Sequence, residues 1–498
     1  MKYSLAFAVL VLIGSAPPSK LDPDTAAWWR TTAQLSNDAM EGRDTGSAGY
    51  QRAAKLVAAK FRAAGLKPAG ENGTWFQRVP MREVRVERAT VRAGRQPLVF
   101  LHDLTISPNE ATPAHVDALL AYGGYCGAST LQDVRGRIVI CHGTHRAGLP
   151  SAADRETAVR AAGAAGMLTI ADPGFTVEPP RWPYAYARTV TLATDQPKAD
   201  PFVRMTLNAA SLGKLLAGSG RNAQALIAAG SAGKPLPSFA IPKRLSADFV
   251  IRQRDIASPN VLAYMPGSEP KLADQAIVLS AHLDGYGYGE PVNGDRIYNG
   301  TLDDAAYVAL LIRVAEKRHG RPYRRPILFA AWTGEEKGLL GSRWFVAHMT
   351  VPKSRVAADI NLDQLRPIFP LKLLTVHALD DTTLGDDARV VAASLGIEVQ
   401  KDPEPERNLL QRSDQWNFMQ AGIPATAFVF GYRPGSRSEQ IYRQWYRTGY
   451  HKPQDDLKQP MDWRAATEFN RFFYKLVERV ADQSNAPAWK PGSTLKRR

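Results

Sequence analysis

The stretch that most constrains this chain is Ile327-Leu328-Phe329-Ala330-Ala331-Trp332-Thr333-Gly334-Glu335-Glu336. Six apolar residues in a row read as a short buried strand. Thr333-Gly334 is a turn signal, and two adjacent carboxylates follow it. Neighbouring side chains at a strand end point different ways, so one carboxylate can bind a metal while the other faces a substrate. Taken alone, the pair is explained as well by the acidic first turn of a helix. Four other short stretches, each with a ligand-type side chain, tip the balance towards a metal.

From Asn260 onward, strand-like and helix-like runs alternate, which argues for an α/β fold with a mostly parallel sheet flanked by helices. Ile277 to Ser280 is a strand leading to Ala281-His282-Leu283-Asp284. Asp303-Asp304 opens a helix whose apolar face is Tyr307, Leu310, Leu311, Val314 and Ala315. Ala357 to Leu362 is strand-like and ends on Asp363; Ala425 to Phe430 is another apolar run. A long loop then carries Tyr450-His451-Lys452-Pro453, and a helix around Trp463 to Ala481 closes the domain. His282, Glu336 and Asp363 therefore follow strands, while Asp303 and His451 lie in connecting segments. In open α/β sheets, sites form at the carboxyl ends of strands. Imidazole and carboxylate ligands suit zinc; five of them exceed the need of one zinc with an open position and suit two zincs if one carboxylate bridges. Asp284 is placed to orient the His282 imidazole, and Glu335 is left over as a general base. His319, His348 and His377 read as ordinary surface or core histidines.

The 498 residues suggest two or three domains. Much of residues 22–70 reads as helical, with Ala53, Ala54, Val57, Ala58 and Phe61 at helical spacing and Gly65 as a stop. A partly alternating, half-exposed strand covers Trp75 to Arg92. Between about residues 96 and 241 the texture shifts to short apolar runs and Gly- and Pro-rich turns, with no His, Asp and Glu cluster at ligand spacing. That stretch reads as an inserted, mostly β module that does no chemistry. The expected organisation is a signal peptide at 1–16, the first part of the main domain at 22–95, the insert at 96–241, the catalytic part at 242–485 and a basic tail at 486–498. Met1-Lys2, the apolar run from Leu5 to Ile13 and Gly14-Ser15-Ala16 have the form of a secretory signal, too short to span a membrane. An exported protein, periplasmic or secreted and with no lasting membrane anchor, is expected. Cys126 and Cys141 either pair or remain buried thiols. The net charge of +15 is spread along the chain without a nucleic-acid motif, so no nucleic-acid partner is expected.

The ordered set of motifs resembles the M28 family of zinc peptidases. The matching stretches are Ala281-His282-Leu283-Asp284, Asn299-Gly300-Thr301-Leu302-Asp303-Asp304, Gly334-Glu335-Glu336, Asn361-Leu362-Asp363 and Tyr450-His451-Lys452-Pro453-Gln454-Asp455. Ser413-Asp414, Ala421-Gly422-Ile423-Pro424 and Met40-Glu41-Gly42-Arg43 also match, and the insert resembles a protease-associated domain. The resemblance implies a zinc exopeptidase fold, two zinc ions on His282, Glu336, Asp363 and His451 with Asp303 bridging, and Glu335 as catalytic base. It implies peptide or protein substrates and, as activity, an aminopeptidase. A carboxypeptidase or a single-zinc glutaminyl cyclase on the same fold, and a non-catalytic binding protein, are the alternatives. Two positions depart from the family pattern: Tyr307, where glycine is common, and Gln364, where an apolar residue is usual. Both bear on substrate preference.

Overall fold

The computed structural model describes residues 21–196, 200–363 and 365–496. The signal-like run at residues 1–16, Gln364 and the last two arginines of the basic tail lie outside the described residues.

Two helices open the chain, α1 (Pro23–Ser36) and α2 (Ala48–Ala63). Asp22 caps the first, accepting the amides of Asp24 and Thr25. Ser47 caps the second, and Ala53, Ala54, Val57, Ala58 and Phe61 form its buried face, as their spacing predicts. A long strand, β1 (Phe76–Ala93), follows. The middle of the chain supplies β2 (His115–Tyr122), β3 (Ile138–His142), β4 (Gly166–Ala171), β5 (Ala187–Leu192) and β6 (Val203–Asn208). Then comes β7, which runs without a break from Phe239 to Met265. The last part contributes β8 (Ala276–His282), α3 (Ala306–Lys317), β9 (Ile327–Trp332), α4 (Leu340–Ala347), β10 (Val356–Leu362), β11 (Ala425–Thr426) and α5 (Trp463–Asp482).

These strands form one sheet, in the order β11-β10-β8-β9-β7-β2-β3-β4-β6, with β1 lying on β7 and β5 on β1. Pairings β8–β9, β8–β10 and β10–β11 are parallel. β7 is antiparallel to β9 through Val261 to Met265, to β1 through Leu245 to Val261 and to β2 through Phe239 to Asp248. The boundary expected between residues 241 and 242 therefore falls inside a single strand. Strands from the stretch 96–241 join the same sheet, β2 pairing with β7 and β5 with β1. Cys126 and Cys141 are joined by a disulfide within the insert.

Helices cover both faces of the parallel strands, which is why those strands read as unbroken apolar runs. Ile277, Leu279, Ala281, Phe329 and Ala331 pack with the helical layer of α1, α2, α3 and α5. Val278, Leu328, Ala330 and Trp332 face the other way, onto Phe345 and Phe418. Tyr307, one of the two departures, is buried against Phe469 of α5, their ring centroids 6.1 Å apart and edge to face. Among the described residues, no helix is long and apolar enough to cross a membrane.

Candidate metal centre

Parallel register brings the sequence motifs to one level. Ala281 lies opposite both Ala331 and Leu362, and His282 lies opposite Trp332. The loops after β8, β9 and β10 thus leave the sheet side by side, carrying His282, Glu335-Glu336 and Asp363. Asp303 comes from the irregular segment Thr301–Ala305 that precedes α3; the expected helix begins only at Ala306. His451 arrives on the loop before α5, with its backbone in the left-handed region at φ 53°.

All five expected ligands converge. His282 Nε2 is 3.2 Å from Asp303 Oδ1 and 3.9 Å from Asp363 Oδ1. His451 Nε2 is 3.3 Å from both Asp303 Oδ2 and Glu336 Oε2. Asp303 therefore presents one oxygen to each histidine. The side chains fall into two clusters able to hold a cation, His282 with Asp304 and Asp363, and Asp303 with Glu336 and His451. In the sequence Asp304 is only the second acid of a helix start. Its Oδ2 accepts the His282 amide at 3.2 Å, while Oδ1 is buried without a partner.

Asp284 is fully buried, but its carboxylate is committed elsewhere. One oxygen accepts the Glu335 amide at 3.0 Å and the other accepts the Thr45 hydroxyl at 2.8 Å. The contact nearest to His282 Nδ1 is the backbone carbonyl of Asp284, at 3.1 Å, against 3.8 Å for its carboxylate. The Glu335 side chain is half-buried and borders an opening of about 440 Å³ shared with Glu336, Asp303, His451 and Tyr450.

The electrostatics match a centre built around cations. Burial holds Glu335 and Glu336 well above the ordinary carboxylate range, with Asp363 adding to the first and Asp303 to the second. Burial opposes the charge on His282, but Glu335, Asp303 and neighbouring carboxylates outweigh it and push its pKa up. Asp303 goes the other way: against the cost of burial, His282, His451 and Arg366 hold it well below its usual range. Crowded buried carboxylates of this kind are costly unless paired with positive charge. Both Asp363 oxygens lack a hydrogen-bond partner of ordinary geometry. Nitrogen and carboxylate donors in two adjacent clusters, with orphaned oxygens among them, fit zinc.

Supporting residues hold these loops. The Arg43 guanidinium is wholly buried and donates to the carbonyls of Leu283, Leu35, Asn299 and Gly300. It thereby ties the loop after His282 to the loop before Asp303. Gly42 beside it sits at φ 62°, and a Cβ there would lie 2.3 Å from the Tyr298 carbonyl oxygen, so only glycine fits. The Asp455 carboxylate accepts the amides of Leu302 and Asp303 at 2.9 and 3.0 Å. Met40-Glu41-Gly42-Arg43 and Asp455 belong to motifs legible in the sequence, but their part in the site was not. Tyr286, Lys337 and Arg181 had no signal beyond their proximity to motifs, or none at all. Lys337 is nearly buried, held by Asp44 at 3.3 Å and by the hydroxyl of Tyr186, an insert residue. Arg181, also from the insert, borders the same opening as Glu335.

Residues 260–477 match the model of peptidase family M28. Curated relatives include a glutamate carboxypeptidase 2 homolog of Caenorhabditis elegans, 28% identical over 38% of this chain and 23% of that protein. Leupeptin-inactivating enzyme 1 of Streptomyces exfoliatus is 27% identical over 34% of this chain and 36% of that protein. A probable leucine aminopeptidase 2 of Aspergillus oryzae is 22% identical over 53% and 54%. The chain thus spans about half or less of the length of these relatives. Among solved structures, an aminopeptidase from Aneurinibacillus sp. strain AM-1 superposes with a TM-score of 0.62 at 18% identity, covering 94% of this chain and 96% of that one. A zinc aminopeptidase from Bacillus subtilis gives 0.61 at 17%, covering 94% and 97%. At that identity the likeness is one of fold. The segment that matches the family model, residues 260–477, carries all five expected ligands.

Proposed function

We propose that this chain is an exported di-zinc metallopeptidase that removes N-terminal residues from peptides. The observation that carries the reading is Asp303, whose two carboxylate oxygens face His282 and His451 between one buried ligand cluster and one half-buried one. His282, Asp303 and Asp363 would hold one zinc and Asp303, Glu336 and His451 the other, with Asp304 a further oxygen donor on the His282 side. Zinc, when bound, supplies Lewis acidity to the scissile carbonyl and to the attacking water. Glu335 does not belong to either cluster and borders the opening, so its carboxylate is free to take the water proton and return it to the leaving amine. Its amide is held by Asp284, which fixes where that carboxylate can reach. The aminopeptidases among the relatives and structural neighbours support the choice of substrate end. The signal-like N-terminus and the disulfide support export, since disulfides persist in oxidising compartments. The insert fits the protease-associated reading as a mostly β module at the rim of the site.

One observation favours a second reading, carboxypeptidase activity. Arg181 and Arg412 border the opening and share one carboxylate, Glu178, while Arg407 behind them pairs with both Glu178 and Glu404. Surplus positive charge beside the scissile position suits a substrate carboxylate. Paired peptides separate the two: one with a free N-terminus and blocked C-terminus, the other the reverse. Cleavage of the first alone, by protein carrying two zincs per chain, supports the aminopeptidase. Cleavage of the second alone makes it a carboxypeptidase. One zinc with full activity on glutaminyl substrates would sink both in favour of the cyclase.

A further inference from the structure

Tyr286 lies four residues beyond His282, on the loop that leaves β8, and it is no ligand candidate. Its hydroxyl is 2.9 Å from Nδ1 of His451, and the two rings are 4.6 Å apart. The other nitrogen, Nε2, faces Asp303 and Glu336 at 3.3 Å. A histidine that offers Nε2 to a metal carries its proton on Nδ1, and that N–H needs an acceptor to fix the tautomer and the ring plane. At His282 the acceptor is the Asp284 backbone carbonyl. At His451 it is the Tyr286 hydroxyl oxygen.

We infer that Tyr286 is a positioning residue for the metal at Asp303, Glu336 and His451: its hydroxyl oxygen accepts the Nδ1–H of His451 and leaves Nε2 unprotonated and aimed at the two carboxylates. The inference rests on the two-metal reading. The hydroxyl suits the position because it can serve both states of the histidine. Without a metal, Nε2–H can donate to Asp303 while Nδ1 accepts from the tyrosine; with Nε2 given to a metal, the proton sits on Nδ1 and the hydrogen bond reverses. A carbonyl can take part only in the second arrangement. The ring itself is held independently of the hydroxyl. Tyr186 and Tyr298 flank it, with centroids 5.8 and 6.3 Å away, and the Lys337 ammonium lies 4.5 Å over its face. Tyr286→Phe should therefore keep the packing and delete only the hydroxyl.

The test is zinc titration of chelator-stripped wild type, Tyr286→Phe and Tyr298→Phe against a chromophoric competitor that resolves two binding constants. Melting temperatures of the stripped proteins are measured alongside. Tyr298 is in the same aromatic group, but its hydroxyl donates to the Glu290 carbonyl and not to a ligand. The expected result is that Tyr286→Phe weakens one of the two constants by roughly 10- to 100-fold and leaves the other unchanged, with its metal-free melting temperature lowered by no more than one lost hydrogen bond accounts for and both constants of Tyr298→Phe as in wild type. If wild type binds two zincs and Tyr286→Phe matches it within two-fold, the inference falls and the two-metal reading stands. Equal weakening of both constants, or a fall in the metal-free melting temperature larger than one lost hydrogen bond accounts for, would mean a merely structural role and also overturns it. A wild type that takes up one zinc overturns the two-metal reading, and the inference with it.

Discussion

Arg43 lies far in sequence from the ligands it supports, and its replacement tests whether the site is braced as described. The guanidinium is fully buried and makes four hydrogen bonds of 2.7 to 2.9 Å to backbone carbonyls. Hydrogen bonds to a charged partner contribute about 1.5–3 kcal/mol each, which would give roughly 6–12 kcal/mol for four. Against this stands the desolvation of the buried guanidinium, several kcal/mol, which the variant no longer bears. Removing one member of such a buried polar set typically costs about 3–5 kcal/mol. Arg43→Met, which keeps much of the volume, should therefore destabilise the metal-free protein by about 4 kcal/mol, a large share of the usual total. Arg43→Lys retains the charge but cannot reach carbonyls on both sides of a planar fork, and should recover less than half of the loss. The assay is urea unfolding of stripped protein, followed as a shift of midpoint at constant slope. The same variants should bind zinc more weakly, because the loops bearing His282 and Asp303 lose their common tie. A loss below about 1 kcal/mol in Arg43→Met, with zinc binding intact, would refute the bracing argument.

Glu335→Gln should keep both zincs and its melting temperature but lose kcat by about a hundred- to ten-thousand-fold, because an amide cannot accept the proton; Glu336→Ala should instead shed metal, which zinc analysis and steady-state kinetics on the two variants will tell apart. Burial would raise the Glu178 carboxyl, but Arg412, Arg181 and Arg407 outweigh it and hold its pKa at about 2. Its folded pKa lies below the unfolded one, so its contribution is complete above about pH 4.5 and fades as pH falls toward 2; Glu178→Gln should flatten the stability-against-pH curve in that window, by on the order of 3 kcal/mol, and an unchanged acid limb would count against the arginine cluster. Cys126 and Cys141 close a loop of separation 15, so the double alanine variant should lose about 3 kcal/mol of stability, seen in chemical unfolding of the insert under non-reducing conditions; no change would mean that the bond does not restrict the unfolded chain.

The sequence alone determined the parts whose signal is local. A strand buried on both faces has to be apolar throughout, so Ile327–Trp332 and Ile277–Ser280 were visible as strands, and an abrupt carboxylate or histidine after each was visible as a site residue. The face of α2 from Ala53 to Phe61 followed from the helical period in the same way. His282, Asp303, Glu336, Asp363 and His451 could be named together because three follow apolar strands and two lie in the segments that connect them, and the structure brings all five together. What the sequence could not hold was distance between segments far apart in the chain. Nothing local separates Asp304 from any other acid before a helix, yet its carboxylate accepts the His282 amide. The Asp284 carboxylate could be placed near His282 by its spacing, but only the packed loops show it spent on the Glu335 amide and Thr45. The stretch 96–241 had no ligand set and read as a separate module, because the pairings of β2 with β7 and of β5 with β1 join residues far apart in the chain and leave no trace in any strand's composition. Arg43, Tyr286, Lys337 and Arg181 acquire their roles from carbonyls, rings and carboxylates that the chain reaches only after the sheet is assembled. Side-chain periodicity is written residue by residue, whereas the partner of a buried polar group is decided by tertiary packing.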